Sequence, residues 1–223
     1  MPRKEKKWIV KPSPGPHKKF ESIPLLIIVR DILKLADTGK EARKIIKAKE
    51  ILVDGKPRLD PKYPVGLFDV ITVPKLKKQY RIVPAKNGLT LIEIPKNESG
   101  LKLCRIEGKT LVKNGFLQLN LHDGKNILVK EKAKKDSYKT GDSLLIETPG
   151  QKIKKHIKME KGSTTIIIGG QNIGDIVKIK EIIKTRGRQP NKVICKKKEK
   201  EFEAIKNYVF VVGKTKPEIK VVA

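Results

Sequence analysis

The sequence predicts an α+β multidomain protein: a small helix–helix–hairpin module near the N-terminus, a central all-β barrel-like domain, and a small C-terminal barrel. Three observations predict it. Apolar residues recur at helical spacing only between Pro24 and about residue 48. Between 78 and 165, Asn87-Gly88, Asn114-Gly115 and Asp123-Gly124 each separate short alternating runs such as "LTLIEI", "FLQLNL" and "NILVK". Finally, "STTIIIGGQNIGDIVKIKEIIK" places two strand-like runs around a glycine loop. A chain of 223 residues can hold one large domain or about two to three small ones, with a real core.

At the N-terminus, residues 1–22 contain "KPSPGPHKKF", with prolines at 12, 14 and 16. Proline lacks the backbone N–H and pushes its neighbour towards extended geometry, so helix and sheet are both blocked. Lysines surround this segment, which predicts an extended basic arm with Trp8 and Phe20 as apolar anchors. From Pro24, "PLLIIVRDILKLA" spaces Leu25, Ile28, Val29, Ile32, Leu33 and Leu35 close to a helical period, with Pro24 suited to the first turn. "DTGKEARKIIKAKE" starts a second helix, capped by Asp37 or Thr38, and Glu41 lies at capping-box spacing from Thr38. Its Ala42, Ile45 and Ile46 face inward, while Arg43, Lys44, Lys47 and Lys49 point elsewhere. "ILVDGKPRLD" is a hairpin with Asp54-Gly55 as a two-residue turn, and "YPVGLFDVITVP" adds a strand ending at Pro74. The expected layout is therefore an arm at 1–22, a module at 23–76, a central β domain at 77–165, and a C-terminal domain with its tail at 166–223.

Charge narrows the function. Lys and Arg number 52 against 24 Asp and Glu, a formal net charge of +28. Such an excess repels itself on compaction, so a polyanionic partner is the natural counterweight. The longest apolar stretch, "IPLLIIV", is far short of the roughly 20 residues a membrane span needs. No apolar core succeeds the charges of "MPRKEKKW", which excludes a secretory signal. Aromatics at 4% are too few for a base-stacking platform, leaving backbone contact by lysine and arginine as the expected mode.

The motifs that could carry chemistry fail on spacing or context. Gly169, Gly170 and Gly174 do not fit the dinucleotide fingerprint, and no Gly-Lys-Ser/Thr comes after them for a P-loop. The next residues, "DIVKIKEI", alternate like a strand and open no helix whose N-terminus could hold a phosphate. His122-Asp123 sits in "LHDGKN", a hairpin turn, and lacks the oriented nucleophile that acid–base catalysis requires. Cys104 and Cys195 each lie in alternating apolar runs and read as buried strand residues. With the histidines at 17, 122 and 156 equally scattered, the spacing gives no zinc site. No catalytic residue, metal or cofactor is expected.

The basic features resemble known modules. "TGKEARKIIKAKEILVDGKPRLDPKYPVGLFDVITV" resembles the S4-type RNA-binding domain, through Ala42-Arg43, Ile45-Ile46, "VDGK" at 53–56, and Gly66 with Asp69. Lys49 stands where members commonly have glycine. "GGQNIGDIVKIKEI" resembles a KOW motif, the strand–loop–strand of an SH3-like barrel, with Val177 in place of a downstream glycine. Together with "PRKEKKWIVKPSPGPH", "KLCRIEGKTLVKNGFLQLNLHDGKNILV" and "NYVFVVGKTKPEI", in this order, they resemble the archaeal and eukaryotic small-subunit ribosomal protein family S4e along essentially the whole chain. Members often carry a further basic leader and eukaryotic ones are longer, so an archaeal protein is expected.

The resemblance implies a cytoplasmic, non-enzymatic ribosomal constituent. Its expected partners are small-subunit ribosomal RNA and neighbouring small-subunit proteins, with no membrane and no small-molecule substrate. The residues expected to meet RNA are Lys6, Lys7, Trp8, Lys18 and Lys19 in the arm, and Arg43, Lys44, Lys47, Lys56 and Arg58 in the module. Around the loop they are Asn172, Lys178, Lys184, Arg186 and Arg188, with Gly170 and Gly174 shaping the loop so that backbone N–H groups approach RNA. The residues also admit two other readings. One is a KOW-containing transcription-associated factor that binds RNA polymerase. The other is an RNA-modifying enzyme with an S4-type domain, which would need a catalytic domain that residues 78–165 do not suggest.

Overall fold

The computed structural model describes residues 9–129, 137–185, 187, 189–197 and 200–221. They are mostly strand, with few helices, and divide into two compact units. The first runs to Lys102 and includes Glu147–Gln151; the second holds Leu103–Ile146 and the residues from Lys152 onward.

The first unit opens, after the arm, with β1 (Ser22–Pro24) and helix α1, which starts as an α turn at Leu25–Ile27 and continues as a π turn over Ile28–Ile32. Leu25 to Val29 are all at most 2% exposed, so the first part of α1 is apolar and buried all round, whereas Arg30 and Asp31, paired at 2.9 Å, are half-buried near its end. Its first N–H groups, which no intrahelical carbonyl can satisfy, go to the carbonyls of Tyr63 and Pro61. The apolar spacing continues to Leu35, but Lys34 turns left-handed (φ +51°) and ends the helix. Helix α2 (Gly39–Lys47) has the expected capping box: Thr38 Oγ1 accepts from the Glu41 N–H at 3.2 Å, and the Glu41 carboxylate accepts from the N–H groups of Asp37 and Thr38. These backbone donors hold the Glu41 carboxyl below its ordinary value. After α2, Lys49 adopts φ +61°, so the position where glycine is usual does demand left-handed geometry, and this chain strains a lysine to provide it.

The hairpin of β2 (Leu52–Val53) and β3 (Lys56–Pro57) turns at Asp54 and Gly55, both with positive φ, the type I′ geometry. Strand β4 (Pro64–Gly66) pairs antiparallel with β1, while β5 (Val70–Val73) joins the hairpin. Strands β6 (Lys78–Ala85) and β7 (Gly88–Glu93) complete a five-stranded sheet in the order β3-β2-β5-β6-β7. The chain turns from β6 into β7 at Lys86-Asn87, one residue before the expected pair, with Gly88 already paired to Ala85, and the sheet continues past residue 76 because β5 and β6 pair from Val70–Arg81 to Val73–Lys78. Leu25 to Val29, Ala42, Ile46, Ile51, Val53, Val65, Ile71 and Ile82 share one core.

The second unit is built on two five-stranded sheets. Strand β8 (Leu101–Leu111) enters it from the first unit and is followed by β9 (Leu117–Leu121), β10 (Asn126–Val129), β11 (Ser143–Glu147) and β12 (Lys152–Ile157). Their order is β10-β9-β8-β11-β12. The turns at Asn114-Gly115 and Asp123-Gly124 join β8 to β9 and β9 to β10, both antiparallel. Then come β13 (Thr164–Ile167), β14 (Ile176–Ile183), β15 (Lys192–Lys197), β16 (Lys200–Ile205) and β17 (Val209–Gly213), in the order β16-β15-β14-β13-β17 with every pair antiparallel. Cys104 and Cys195 are buried on their strands as expected, each in a separate core. Val177 sits in the second of these cores and pairs with Thr165, an ordinary inward strand position that has no need of glycine. Among the described residues no helix is long and apolar enough to cross a membrane.

Candidate nucleic-acid interface

The exposed side of α2 carries Arg43, Lys44 and Lys47, with Ala42 and Ile46 on the buried side; Lys56 is exposed just past the hairpin turn. None of these four cations lies within 4.0 Å of a carboxylate among the described residues. Other lysines of the chain are neutralised at home: Lys75 by Glu50, Lys155 by Glu218, Lys180 by Glu201, Lys192 by Glu203, and Lys197 by Asp175. Arg58 differs from the expectation of an open contact. It is half-buried, its guanidinium stacked 4.6 Å from the Tyr63 ring centroid.

The arm is held by a device that the sequence hides. Its described part forms neither helix nor strand before Lys19 and lies along residues 62–66: the Ser13 N–H donates to the Lys62 carbonyl at 2.9 Å, Gly15 packs on Pro64, and His17 packs on Gly66. A Cβ on Gly66 would stand 2.2 Å from the His17 ring. His17 Nε2 lies 3.0 and 3.1 Å from the two oxygens of Asp69, which also accepts from the Gly66 N–H at 2.9 Å and from Lys102 Nζ. Lys102 Nζ reaches Asp54 at 2.7 Å, and Asp54 caps the Val70 N–H at 3.1 Å. All four side chains are under 10% exposed. Burial by itself pushes the Asp69 carboxyl up, but Lys102 and His17 together overcome it and hold the group well below the carboxylate range. Gly66 and Asp69, two of the residues behind the S4-type resemblance, thus fasten the arm.

Phe20 is not an anchor of the arm: it is 95% exposed, and the apolar contribution comes from Val10, packed on the module's core. Lys18 and Lys19 flank it in solvent, with Glu21 3.7 Å from Lys18. Lys6, Lys7 and Trp8 lie outside the described residues, as do Arg186 and Arg188.

In the second unit, the loop from Ile168 to Asp175 joins β13 to β14. Gly170 and Gly174 both take φ +87°, and the Gly174 N–H closes on the Ile167 carbonyl at 2.8 Å. Asn172 is half-buried in this loop. Lys178 is exposed and stands directly opposite Lys196 across β14 and β15; like charges in that register repel, and while Lys196 also faces Glu201 across β15 and β16, Lys178 forms no ion pair among the described residues. Lys184, just beyond β14, is exposed and likewise without an ion pair among the described residues.

Cys104, eighteen residues before the adjacent His122 and Asp123, is brought beside them so that the ligand atoms of the three lie within 4.8 Å of one another. Each is engaged inside the protein. Cys104 Sγ is 3.7 Å from Asp123, the Arg105 N–H donates to His122 Nδ1 at 3.2 Å, and Lys125 donates to Asp123 from both its backbone and its ammonium. This arrangement is a hydrogen-bonded cluster under a hairpin turn.

Residues 24–71, the helices and hairpin with their exposed cations, match the S4 domain; the chain is an S4-domain protein. Residues 76–153 match the family described as Ribosomal family S4e. The small ribosomal subunit protein eS4 of Archaeoglobus fulgidus is 51% identical over 96% of this chain and 88% of its own length. That of Methanocaldococcus jannaschii is 48% identical over 99% of this chain and 91% of its own. The crystal structure of the 30S ribosomal protein S4e from Thermoplasma acidophilum superposes with a TM-score of 0.74 at 31% identity, covering 87% of this chain and 96% of that one. The chain belongs to the ribosomal S4e family.

Proposed function

We propose that this chain is a structural constituent of the small ribosomal subunit that binds ribosomal RNA and has no catalytic role. The observation that carries this reading is its near-full-length kinship with proteins named small ribosomal subunit protein eS4. The surface supplies the means. Arg43, Lys44, Lys47, Lys56, Lys178 and Lys184 are exposed and lack carboxylate partners among the described residues, so their charge is available to phosphates. Lys18 and Lys19 extend that surface into the arm, joined by Lys6, Lys7 and Trp8. Half-buried Arg58, stacked on Tyr63, lies beside that surface. The five-stranded sheet from β13 to β17 is read as the KOW-type, SH3-like barrel, its loop bringing Gly170, Asn172 and Gly174 to RNA beside Arg186 and Arg188. The arm (1–22), S4 module (23–76), central region (77–165) and C-terminal region (166–223) are then four RNA-facing parts. Neighbouring small-subunit proteins complete the environment, on ribosomes in the cytoplasm. Sucrose-gradient fractionation of cell lysate with mass spectrometry of each peak tests the reading. The chain is expected in the small-subunit peak; finding it free or with RNA polymerase overturns the assignment.

A further inference from the structure

Beside the β13–β14 loop lies a cleft of about 260 Å³, entirely within the second unit, whose lining is the wrong chemistry for phosphate. Among the described residues no lysine or arginine lines it, and its single charged group is the Glu203 carboxylate, already paired with Lys192 at 2.9 Å. Its walls include Tyr208, 41% exposed, and the ring of Phe202. Gly169 lets the loop close on Tyr208, since a Cβ there would stand 2.5 Å from the ring. Neither the Tyr208 hydroxyl nor the side-chain amides of Gln171 and Asn172 have a hydrogen-bond partner among the described residues. An aromatic ring, rimmed by neutral groups that can both donate and accept, fits a planar uncharged heterocycle with polar edges.

We infer that this cleft takes one unpaired base of the bound RNA, stacked on Tyr208 and hydrogen-bonded along its edge by Asn172 and Gln171. The inference rests on the RNA-binding reading above and adds to it a second kind of contact. Cations at Lys178 and elsewhere hold the backbone without regard to sequence, whereas the cleft selects a place where a base is splayed out of the helix. The low aromatic content rules out a platform of stacked bases, and one cleft requires only one ring.

The test uses the full chain and two RNA hairpins that differ only by a single bulged adenine, with affinities read by fluorescence anisotropy at one salt concentration. The bulged hairpin is expected to bind roughly tenfold more tightly, the scale of a single stacked base. Tyr208→Phe keeps that preference and Tyr208→Ala brings it close to unity. Should Tyr208→Ala lower the melting temperature, Asn172→Ala replaces it, since that amide holds nothing in the fold; it must shrink the preference. A 5-iodouridine placed at the bulge is expected to crosslink to Tyr208 on irradiation. Equal affinities for the two hairpins, or a preference untouched by these substitutions, overturn the base cleft. If the unbulged hairpin still binds in that case, the backbone-binding reading stands; if neither hairpin binds, both readings fall.

Discussion

Asp69 carries more of the first unit than any surface cation, because one buried carboxylate holds His17, Lys102 and the Gly66 N–H together. Removing one partner of such a cluster leaves uncompensated charge in the interior, so Asp69→Asn should cost about 3–5 kcal/mol of stability. The pH dependence has a definite sign. The folded carboxyl titrates well below the value near 4 of the unfolded chain. Its stabilisation is therefore complete above about pH 4 and is lost as pH falls further, towards the folded value. Chemical denaturation of both proteins from pH 7 to pH 3 checks this: the wild type should lose stability below about pH 4, and Asp69→Asn should start lower and lose less. An unaltered acid slope would remove Asp69 from this role. A signal for the cluster is present in the sequence. Lys102 has the same parity on β8 as the buried Cys104 and Ile106, and a lysine at an inward position needs a carboxylate. That signal is faint because Lys102 is one of 52 cations, and because its partners Asp54 and Asp69 lie 48 and 33 residues away. Asp54 reads as a turn residue, which it is, and its second task needs the fold to be seen. Phe20 shows the reverse error: an aromatic in a basic arm reads as an anchor, although nothing local specifies what it packs on.

Elements with local causes are legible in the sequence and those with distant causes are not. Helix α2 is set by Thr38, Glu41 and the inward spacing of Ala42 and Ile46, all within nine positions, and it forms where the pattern places it. The Asp54-Gly55 turn is equally local, since two consecutive positive φ angles favour that pair. The π turn in α1 has no local signature; every residue from Leu25 to Val29 is buried, so apolar periodicity locates neither its faces nor its end. The outward face of α2 is legible too, and it yields an expectation for binding. Arg43 and Lys47 are one turn apart, exposed, and unpaired with any described carboxylate. Replacing both by alanine, a strong helix former, should leave the melting temperature within a few degrees of wild type and weaken RNA binding. Each lost phosphate contact lowers the magnitude of the salt slope by about one, so the double variant should lose about two. Binding isotherms at several salt concentrations read this directly; an unchanged affinity and slope would take α2 out of the interface.

For the whole molecule, the net charge of +28 is spread over two compact units, and the two populations of lysine explain how such a chain folds. Some are spent internally on Glu50, Glu201, Glu203, Glu218 and Asp175, which lowers repulsion where strands must pair. Others, such as Lys178, exposed opposite Lys196 and without an ion pair among the described residues, keep a repulsion that an external anion relieves. Composition discloses the excess but not this division, because which lysine meets which carboxylate is fixed by strand register. The division makes RNA binding strongly dependent on ionic strength. If roughly six to ten of the unpaired cations meet phosphates, affinity should fall on the order of a thousandfold or more between about 50 and about 200 mM monovalent salt, along a straight log–log line. The same cations should repel one another less once RNA is bound, so the melting temperature should rise with RNA at low salt and rise less at high salt. Titrations of a small-subunit RNA fragment across that salt range, with parallel melts, check both halves. A nearly flat log–log line would mean that the unpaired lysines do not face phosphate, and that contacts of the kind proposed for the Tyr208 cleft carry the binding instead.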